Sequence, residues 1–166
     1  MQDSWDTENT ASFIGWVPTP PEHIEGFFEL VEPTPSDVVF DLGSGDGRLL
    51  FKALEKGAGR VVGVDLDPQM VNTAREAARG KGVEAKASFI EGDVRSADLS
   101  YATVVFCYLC TEASITLKPK FEKELRPGTK VVMETFSVPG WKPVKTVQRG
   151  WKDFYLYVMP PERDGG

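Results

Sequence analysis

The sequence predicts an α/β fold, in which a mostly parallel β-sheet is covered by helices on both faces. Short apolar runs alternate with segments of helical periodicity from residue 38 to residue 136. These runs carry apolar residues at consecutive positions, which is typical of strands buried on both sides by helices. Two further strand-like segments near the C-terminus lie close enough together to form an antiparallel hairpin.

The first helix is predicted to begin at the segment 19–22. Thr19 can cap it, the two prolines suit its first turn, and Glu22 completes a capping box. Apolar residues at helical spacing then turn one face to the core. These residues are Ile24, Phe27, Phe28 and Val31. His23, the single histidine, lies beside Glu22 and is expected to be a solvated surface residue.

The rest of the chain continues the alternation. Strands are predicted at 38–42, 61–65, 87–90, 103–109 and 130–136. Helices are predicted at 49–54, in a segment that Asp67 caps, and around Phe121 and Leu125. The hairpin strands are predicted at 145–148 and 154–158.

The length and composition fit a single domain with its own core. The chain has 166 residues, which we divide into a loose arm at 1–14, one domain at 15–160 and a disordered tail at 161–166. The net charge of -6 and the absence of a basic stripe argue against a nucleic-acid partner. No apolar run suits membrane insertion, and no secretory signal opens the sequence, so we expect a cytoplasmic protein.

The two cysteines, Cys107 and Cys110, do not indicate a metal site. A single C-x-x-C pair supplies half of a zinc site, and the sequence offers no second pair or histidine cluster to complete it. Both cysteines follow or belong to an apolar strand, where their side chains would point to opposite faces. We therefore expect no metal and interpret both as packing residues.

The strongest local signal is a glycine-rich turn between the first strand and its helix. Such a turn lets a ligand approach the backbone and a helix N-terminus. It lacks the third glycine of the dinucleotide fingerprint, because Arg48 takes that place. Its acids would repel a pyrophosphate and favour the sulfonium and ammonium groups of S-adenosylmethionine. The predicted cofactor-binding residues here are Asp41, Gly43, Ser44, Gly45, Asp46, Gly47 and Arg48.

Two more acids follow the next two strands. Asp65 suits the hydroxyls of a ribose, and Leu66 beside it is included in the site. In the segment Gly92, Asp93 and Val94, the carboxylate could accept the adenine amine, while the Val94 N–H serves a ring nitrogen. Three acids at the ends of three successive strands predict an S-adenosylmethionine site. The alternatives are a generic glycine turn with solvated acids, or a different nucleotide.

The chain resembles the class I methyltransferases. Within them it is similar to the small archaeal protein-lysine methyltransferases and their eukaryotic relative that modifies the c subunit of ATP synthase, which share a Dot1-like core. The matching segments lie at 17–20, 41–48, 97–105, 117–120, 124–129, 140–143 and 156–158. The resemblance implies a Rossmann-like seven-stranded sheet with an antiparallel last strand. It also implies that Trp16, Val17, Pro18 and Thr19 fold over the cofactor and that the segment 106–109 lines the methyl-transfer pocket.

The sequence departs from this family at two positions. Trp16 stands where relatives often carry tyrosine, which keeps an aromatic residue over the cofactor. Glu134 stands where relatives often carry histidine, which changes the charge and the proton chemistry if the side chain faces the pocket.

The predicted acceptor is a lysine presented by a protein. We expect Phe106, Tyr108 and Phe136 to form an apolar channel for the lysine stem, with Glu134 attracting the cation at its mouth. Phe106 is also expected to contact the cofactor. The alternative is that these aromatics are ordinary core at strand ends. Two other functions remain open, namely methylation of a small molecule and a cofactor-binding module without catalysis.

Overall fold

The computed structural model describes residues 19–108 and 111–165. The helices in these ranges are α1 (Pro21–Leu30), α2 (Arg48–Glu55), α3 (Pro68–Gly80) and α4 (Thr111–Glu124), with a short 3-10 helix at Val94–Ser96. None of the described helices is long and apolar enough to cross a bilayer. The expected arm at 1–14 lies outside the described residues, as do Trp16, Val17 and Pro18.

The strands are those predicted, with shifted ends and two short additions. They are β1 (Val38–Leu42), β2 (Arg60–Asp65), β3 (Ala87–Glu91), β4 (Val104–Cys107), β5 (Lys130–Glu134), β6 (Trp141–Lys142), β7 (Lys145–Arg149), β8 (Lys152–Val158) and β9 (Glu162–Arg163). Seven of them form one sheet in the order β3-β2-β1-β4-β5-β8-β7. The first five run parallel, whereas β8 pairs antiparallel with both β5 and β7. The predicted seven-stranded sheet and its hairpin are confirmed.

Helices cover both faces of this sheet, as predicted. Alternate strand residues such as Val39, Phe106 and Val132 pack beneath α1, α2 and α3. The intervening residues, such as Val105 and Met133, pack against α4 on the other face. Residues two apart on a strand share a face, so Asp41 and Glu134 belong to the α1 side.

Helix α1 differs from its predicted start. The residue at the N-cap is Pro20, and the structure has no side-chain hydrogen bond there. The predicted Thr19 cap is therefore wrong, because the helix begins at Pro21 and leaves Thr19 one residue too early to reach the free N–H groups. The helix packs closely, since a Cβ added to Gly26 would lie 2.5 Å from the Phe154 ring.

The C-terminal tail is ordered over residues 161–165, contrary to the prediction. Strand β9 pairs antiparallel with β6. Arg163 lies 2.8 Å from Glu122 of α4, and that carboxylate also accepts a hydrogen bond from the Trp141 indole at 2.9 Å. These contacts fix the tail against the α4 side of the sheet, which composition alone did not indicate.

Candidate active site

The site lies at the carboxyl edge of the sheet, where the parallel strands end. We divide this edge into a cofactor half, at the ends of β1, β2 and β3, and an acceptor half, at the end of β5, the residues after β4 and the start of β8. The antiparallel β8 begins at this same edge, because Phe154 pairs with Glu134 and the Thr135 N–H donates to the Asp153 carbonyl at 2.7 Å.

The glycine turn in the cofactor half is held by backbone hydrogen bonds to β2. The N–H groups of Gly43 and Ser44 donate to the Val64 carbonyl at 2.8 and 3.1 Å. Gly43, Gly45 and Gly47 have φ angles of 90°, 55° and 87°, in the left-handed region that glycine adopts without strain. The turn therefore needs its glycines, and it presents backbone rather than side chains to a ligand.

Asp65 is fixed by this turn. One of its carboxylate oxygens accepts the Gly45 N–H at 2.8 Å and the other accepts the Asp67 N–H at 2.9 Å. Burial raises the pKa of the Asp65 carboxyl, and these hydrogen bonds to the ionised form oppose that rise. Each carboxylate oxygen can accept two hydrogen bonds, so capacity remains for a ligand hydroxyl.

Asp41 is the most buried acid of the cofactor half, with 4% of its surface exposed. Burial raises the pKa of its carboxyl well above the usual range, and the negative charges of Asp65, Glu134 and Asp46 raise it further. A cation placed among these acids would be stabilised by all of them. The sulfonium and ammonium groups of S-adenosylmethionine fit this set of acids, whereas a pyrophosphate does not.

Two acids of the predicted site are paired with arginines. Arg48 contacts Asp46 at 2.7 Å, and Arg95 donates to Asp93 at 2.9 Å. Burial by itself would raise the pKa of the Asp46 carboxyl. The hydrogen bonds from Arg48 outweigh burial and hold this pKa below the usual value. Asp46 is thus held by Arg48 in the described structure, and its predicted contact with the cofactor stays a prediction.

The predicted segment 92–94 follows β3 and lies at the same edge of the sheet. The Gly92 N–H donates to the Asp65 carbonyl at 2.9 Å, which places the start of this segment beside β2. Asp93 caps the 3-10 helix through the Arg95 N–H, and the Val94 side chain is buried. Leu66 follows Asp65 directly, so the structure brings all these predicted residues to one edge. Their contacts with a ligand stay predictions.

The aromatic residues of the acceptor half do not form one open channel. Phe106 pairs with Asp41 in the sheet register, but its ring is fully buried, with centroids 5.0 and 5.5 Å from Phe27 and Phe28. Its predicted role in a channel wall is corrected accordingly, and it belongs to the core. Tyr108 is half-buried and Phe136 is 38% exposed, so these two lie nearer the rim.

Glu134 was predicted to lie at the mouth of a channel. In the structure it is fully buried, with 0% exposure. His23 of α1 is 7% exposed and brings its Nδ1 to 3.1 Å from Glu134 Oε1. The prediction of a solvated His23 is thus wrong. Its position four residues before Phe27, on the same helical face, is the signal that could have revealed it. The two atoms are close, but their alignment does not meet hydrogen-bond geometry.

A lysine and a tryptophan complete the rim of the acceptor half, and no sequence pattern pointed to either residue. The Lys152 ammonium lies 4.3 Å from the centroid of the Trp151 ring and 6.0 Å from that of Tyr108. Trp151 is 80% exposed at the tip of the hairpin. Trp151 lies in the turn between β7 and β8 and Lys152 is the first residue of β8, so both are far along the chain from Tyr108.

No described group of three or more His, Cys, Asp or Glu side chains could hold a metal ion. Cys107 is buried among the apolar residues on the α4 side of the sheet, where it packs as predicted. Cys110 lies outside the described residues.

The comparisons with known proteins agree with this geometry. The family model of the ANTKMT methyltransferase domain matches residues 41–145, which run from the end of β1 to the start of β7. The chain belongs to this family. A protein-lysine N-methyltransferase from Saccharolobus islandicus is 37% identical to it over 151 residues, which are 88% of this chain and 94% of that relative.

Two further relatives extend the comparison. The adenine nucleotide translocase lysine N-methyltransferase of Mus musculus is 30% identical over 144 residues, covering 87% of this chain and 62% of that protein. The crystal structure of an RNA methyltransferase from Salinibacter ruber, in complex with S-adenosyl-L-homocysteine, is 37% identical with a TM-score of 0.84, covering 90% of this chain and 98% of that one. The predicted S-adenosylmethionine-dependent class I methyltransferase is confirmed.

Proposed function

We propose that this methyltransferase transfers the methyl group of S-adenosylmethionine to the side-chain amine of lysine in a protein. The observation that carries the proposal is the 37% identity, over almost the whole length of both chains, to a protein named as a protein-lysine N-methyltransferase. The anionic carboxyl edge supports it, since a lysine ammonium is a cation and the chain has a net charge of -6.

The cofactor half supplies the binding groups. Asp41 stabilises the positive charge of the cofactor, the glycine turn admits it close to the backbone, and Asp65 accepts hydrogen bonds from its ribose. The segment 92–94 receives the adenine. The cofactor itself supplies an activated methyl group on a sulfonium, so the protein needs to align an acceptor and exclude water.

The acceptor half positions the amine. Its exposed rim, with Tyr108, Phe136 and Trp151, offers apolar surface for the methylene stem of a lysine. The acceptor is recognised at this edge, next to the cofactor half. Protein acceptors then bind through an exposed lysine and its flanking residues.

An RNA acceptor is the second candidate, because the similar Salinibacter ruber structure is described as an RNA methyltransferase. Phosphate binding relies on basic side chains, and the sequence pI of about 4.9 gives no support for it. A small-molecule acceptor and a cofactor-binding module without catalysis also remain to be separated by experiment.

The test is to incubate the purified protein with methyl-labelled S-adenosylmethionine and a lysate of the source cells. The products are divided into protein, RNA and small molecules, with Asp65→Ala as the control that should bind little cofactor. Base-stable label recovered on lysine after protein hydrolysis supports the proposal. Label that enters RNA or small molecules alone contradicts it, and cofactor binding without any labelled fraction supports the non-catalytic alternative.

A further inference from the structure

All the buried side-chain polar atoms without a hydrogen-bond partner in the described residues belong to one cluster. They are Nδ1 of His23, both carboxylate oxygens of Glu134 and the Thr135 hydroxyl. A buried polar group without a partner is costly, and such groups in native proteins call for an explanation. Their concentration at the acceptor half indicates a place built for a ligand that supplies the missing hydrogen bonds.

The backbone at this cluster is also strained. Thr135 has a φ angle of 72°, which is rare for a β-branched residue. The Phe136 N–H donates to the Glu134 carbonyl at 2.8 Å, so Thr135 is the centre of a tight γ-turn of the uncommon kind. Strain of this type is concentrated at functional sites, where it holds a side chain in a required position. Here it fixes the end of β5, from which Glu134 extends.

We propose that Glu134, paired with His23, accepts the proton of the acceptor ammonium and so generates the nucleophilic amine. This inference rests on the proposed lysine acceptor. A lysine amine has a usual pKa of about 10.4 and is protonated at neutral pH, when it cannot attack the methyl carbon. A carboxylate at the acceptor half that lacks hydrogen bonds is a suitable proton acceptor.

The proton and electron balance is simple. The ammonium gives one proton to the Glu134 carboxylate and becomes a neutral amine. Its lone pair forms the new N–C bond while the S–C bond of the sulfonium breaks, and that bonding pair stays on sulfur. The methylated product carries the positive charge that the sulfonium has lost, and the protonated Glu134 returns its proton to water after release.

His23 is the positioning residue of this pair. Burial lowers the pKa of its imidazole, which favours the neutral form. A neutral Nδ1 with a free lone pair can accept a hydrogen bond from Glu134 once the carboxyl is protonated, but not from the carboxylate. The two atoms are 3.1 Å apart, so a rotation of the side chains that aligns them would let His23 stabilise the state that follows proton transfer.

The charged and titratable neighbours of Glu134 come from four elements. His23 faces it from α1, Asp41 from β1, Tyr108 from the end of β4, and Lys152 from the start of β8. Burial raises the pKa of Glu134 from the usual 4.5 to about 7, against the opposing positive charge of Lys152. A group in this range can take up and release a proton at neutral pH.

The experiment compares the wild-type protein with Glu134→Gln, His23→Gln and a control, Glu25→Gln. Glu25 is an exposed acid on α1, the helix that carries His23. The rate at which methyl-labelled S-adenosylmethionine labels the protein fraction of the lysate is measured from pH 6 to pH 10. The affinity for the cofactor is measured by calorimetry. At pH 7 we expect Glu134→Gln to lower kcat by about 100-fold, the range of general base catalysis, with cofactor affinity changed less than twofold. His23→Gln should move the midpoint of the pH profile, which a purely structural residue would not do.

The shape of the profile is decisive. The wild-type rate should reach a plateau above pH 7, whereas the Glu134→Gln rate should keep rising and approach the wild type near the lysine pKa of about 10.4. Identical profiles for the two proteins overturn the inference. A wild type that labels no lysine overturns the proposed function instead.

Infrared spectroscopy provides a readout without turnover. We expect the wild-type spectrum to contain a protonated-carboxyl band at pH 6 that Glu134→Gln lacks and that is largely lost by pH 8, while the Asp41 carboxyl is present in both proteins and cancels to first order in the difference. A wild-type spectrum that matches that of Glu134→Gln across this range also overturns the inference.

Discussion

The two halves of the carboxyl edge treat their carboxylates in opposite ways. In the cofactor half, Asp65 accepts two backbone N–H groups and Asp93 is bonded to Arg95. In the acceptor half, Glu134 is more deeply buried and has no hydrogen bond within the described residues. Asp65 and Asp93 are thus held by hydrogen bonds before a ligand arrives, whereas Glu134 lacks hydrogen bonds that a cationic acceptor can supply.

This difference predicts that cofactor binding depends most on Asp65. Asp65→Ala removes two charge-assisted hydrogen bonds, each worth roughly 1.5–3 kcal/mol, one from the Gly45 N–H of the glycine turn and one from the Asp67 N–H before α3. We expect at least about 100-fold weaker binding of S-adenosylmethionine by calorimetry. Asp67→Ala is the matched control, because it removes only the cap of α3 and should leave the affinity nearly unchanged. Equal losses in the two variants would contradict the assignment.

The buried Glu134 carboxyl, which has no hydrogen bond in the described residues, predicts an unusual dependence of stability on pH. The pKa of Glu134 is about 7 in the folded state against the usual 4.5, so between these values the folded protein holds a proton that the unfolded chain has lost. The stability from this proton is complete below pH 4.5 and is lost as the pH rises through 7. The loss amounts to about 3 kcal/mol at most.

Glu134→Gln cannot titrate and should not show this loss. From pH 5 to pH 8, urea denaturation should reveal a gain of up to about 3 kcal/mol in the free energy of unfolding of the variant relative to wild type. Asp41 is present in both proteins, so its own titration cancels in the difference to first order. Glu25→Gln should follow the wild type, and a Glu134→Gln variant that does the same would show that Glu134 is not perturbed.

The packing of α1 on β8 should show a smaller effect. In Gly26→Ala the new methyl would lie 2.5 Å from the fully buried Phe154 ring, and overpacking of this kind costs roughly 1–3 kcal/mol. The gain in helix propensity offsets up to about 1 kcal/mol of this cost. We expect a net loss of stability in thermal unfolding. Gly80→Ala, which meets nothing within 4 Å, should be neutral or stabilising, and the same loss there would refute the packing argument.

The smallest effect is expected at the exposed Arg95. Its partner Asp93 keeps the hydrogen bond from the Arg95 backbone N–H when the side chain is removed, and exposed ion pairs contribute little. Arg95→Ala should change the affinity for the cofactor by less than about threefold in calorimetry. A change as large as that in Asp65→Ala would mean that the guanidinium itself contacts the cofactor.

The cofactor half could be predicted from sequence because its determinants are local. Gly43, Gly45 and Asp65 lie at or next to strand ends that the apolar runs mark, and the order of a parallel sheet brings those ends together. The parallel sheet and the antiparallel hairpin were likewise expected, the hairpin from two neighbouring runs.

The acceptor half could not be predicted in the same way because it is assembled from distant segments. His23 and Glu134 are 111 residues apart in sequence, and only the packing of α1 over β5 brings them to 3.1 Å. The deep burial of Glu134 and of the Phe106 ring also depends on this helix. Side-chain spacing on one strand carries no information about which helix covers it, so the expected channel was misplaced.

The antiparallel direction of β8 has a consequence for the evolution of acceptor choice. Four of the five parallel strands, β1 to β4, leave the carboxyl edge through a segment that leads to a helix or helical turn, whereas the hairpin reaches it with a short turn around Gly150 and the exposed Trp151. Surface turns tolerate insertion and replacement at little cost in stability. A family built on this sheet can therefore diversify its targets through one hairpin tip while its glycine turn stays the same, and directed libraries at that tip should retune selectivity without loss of cofactor use.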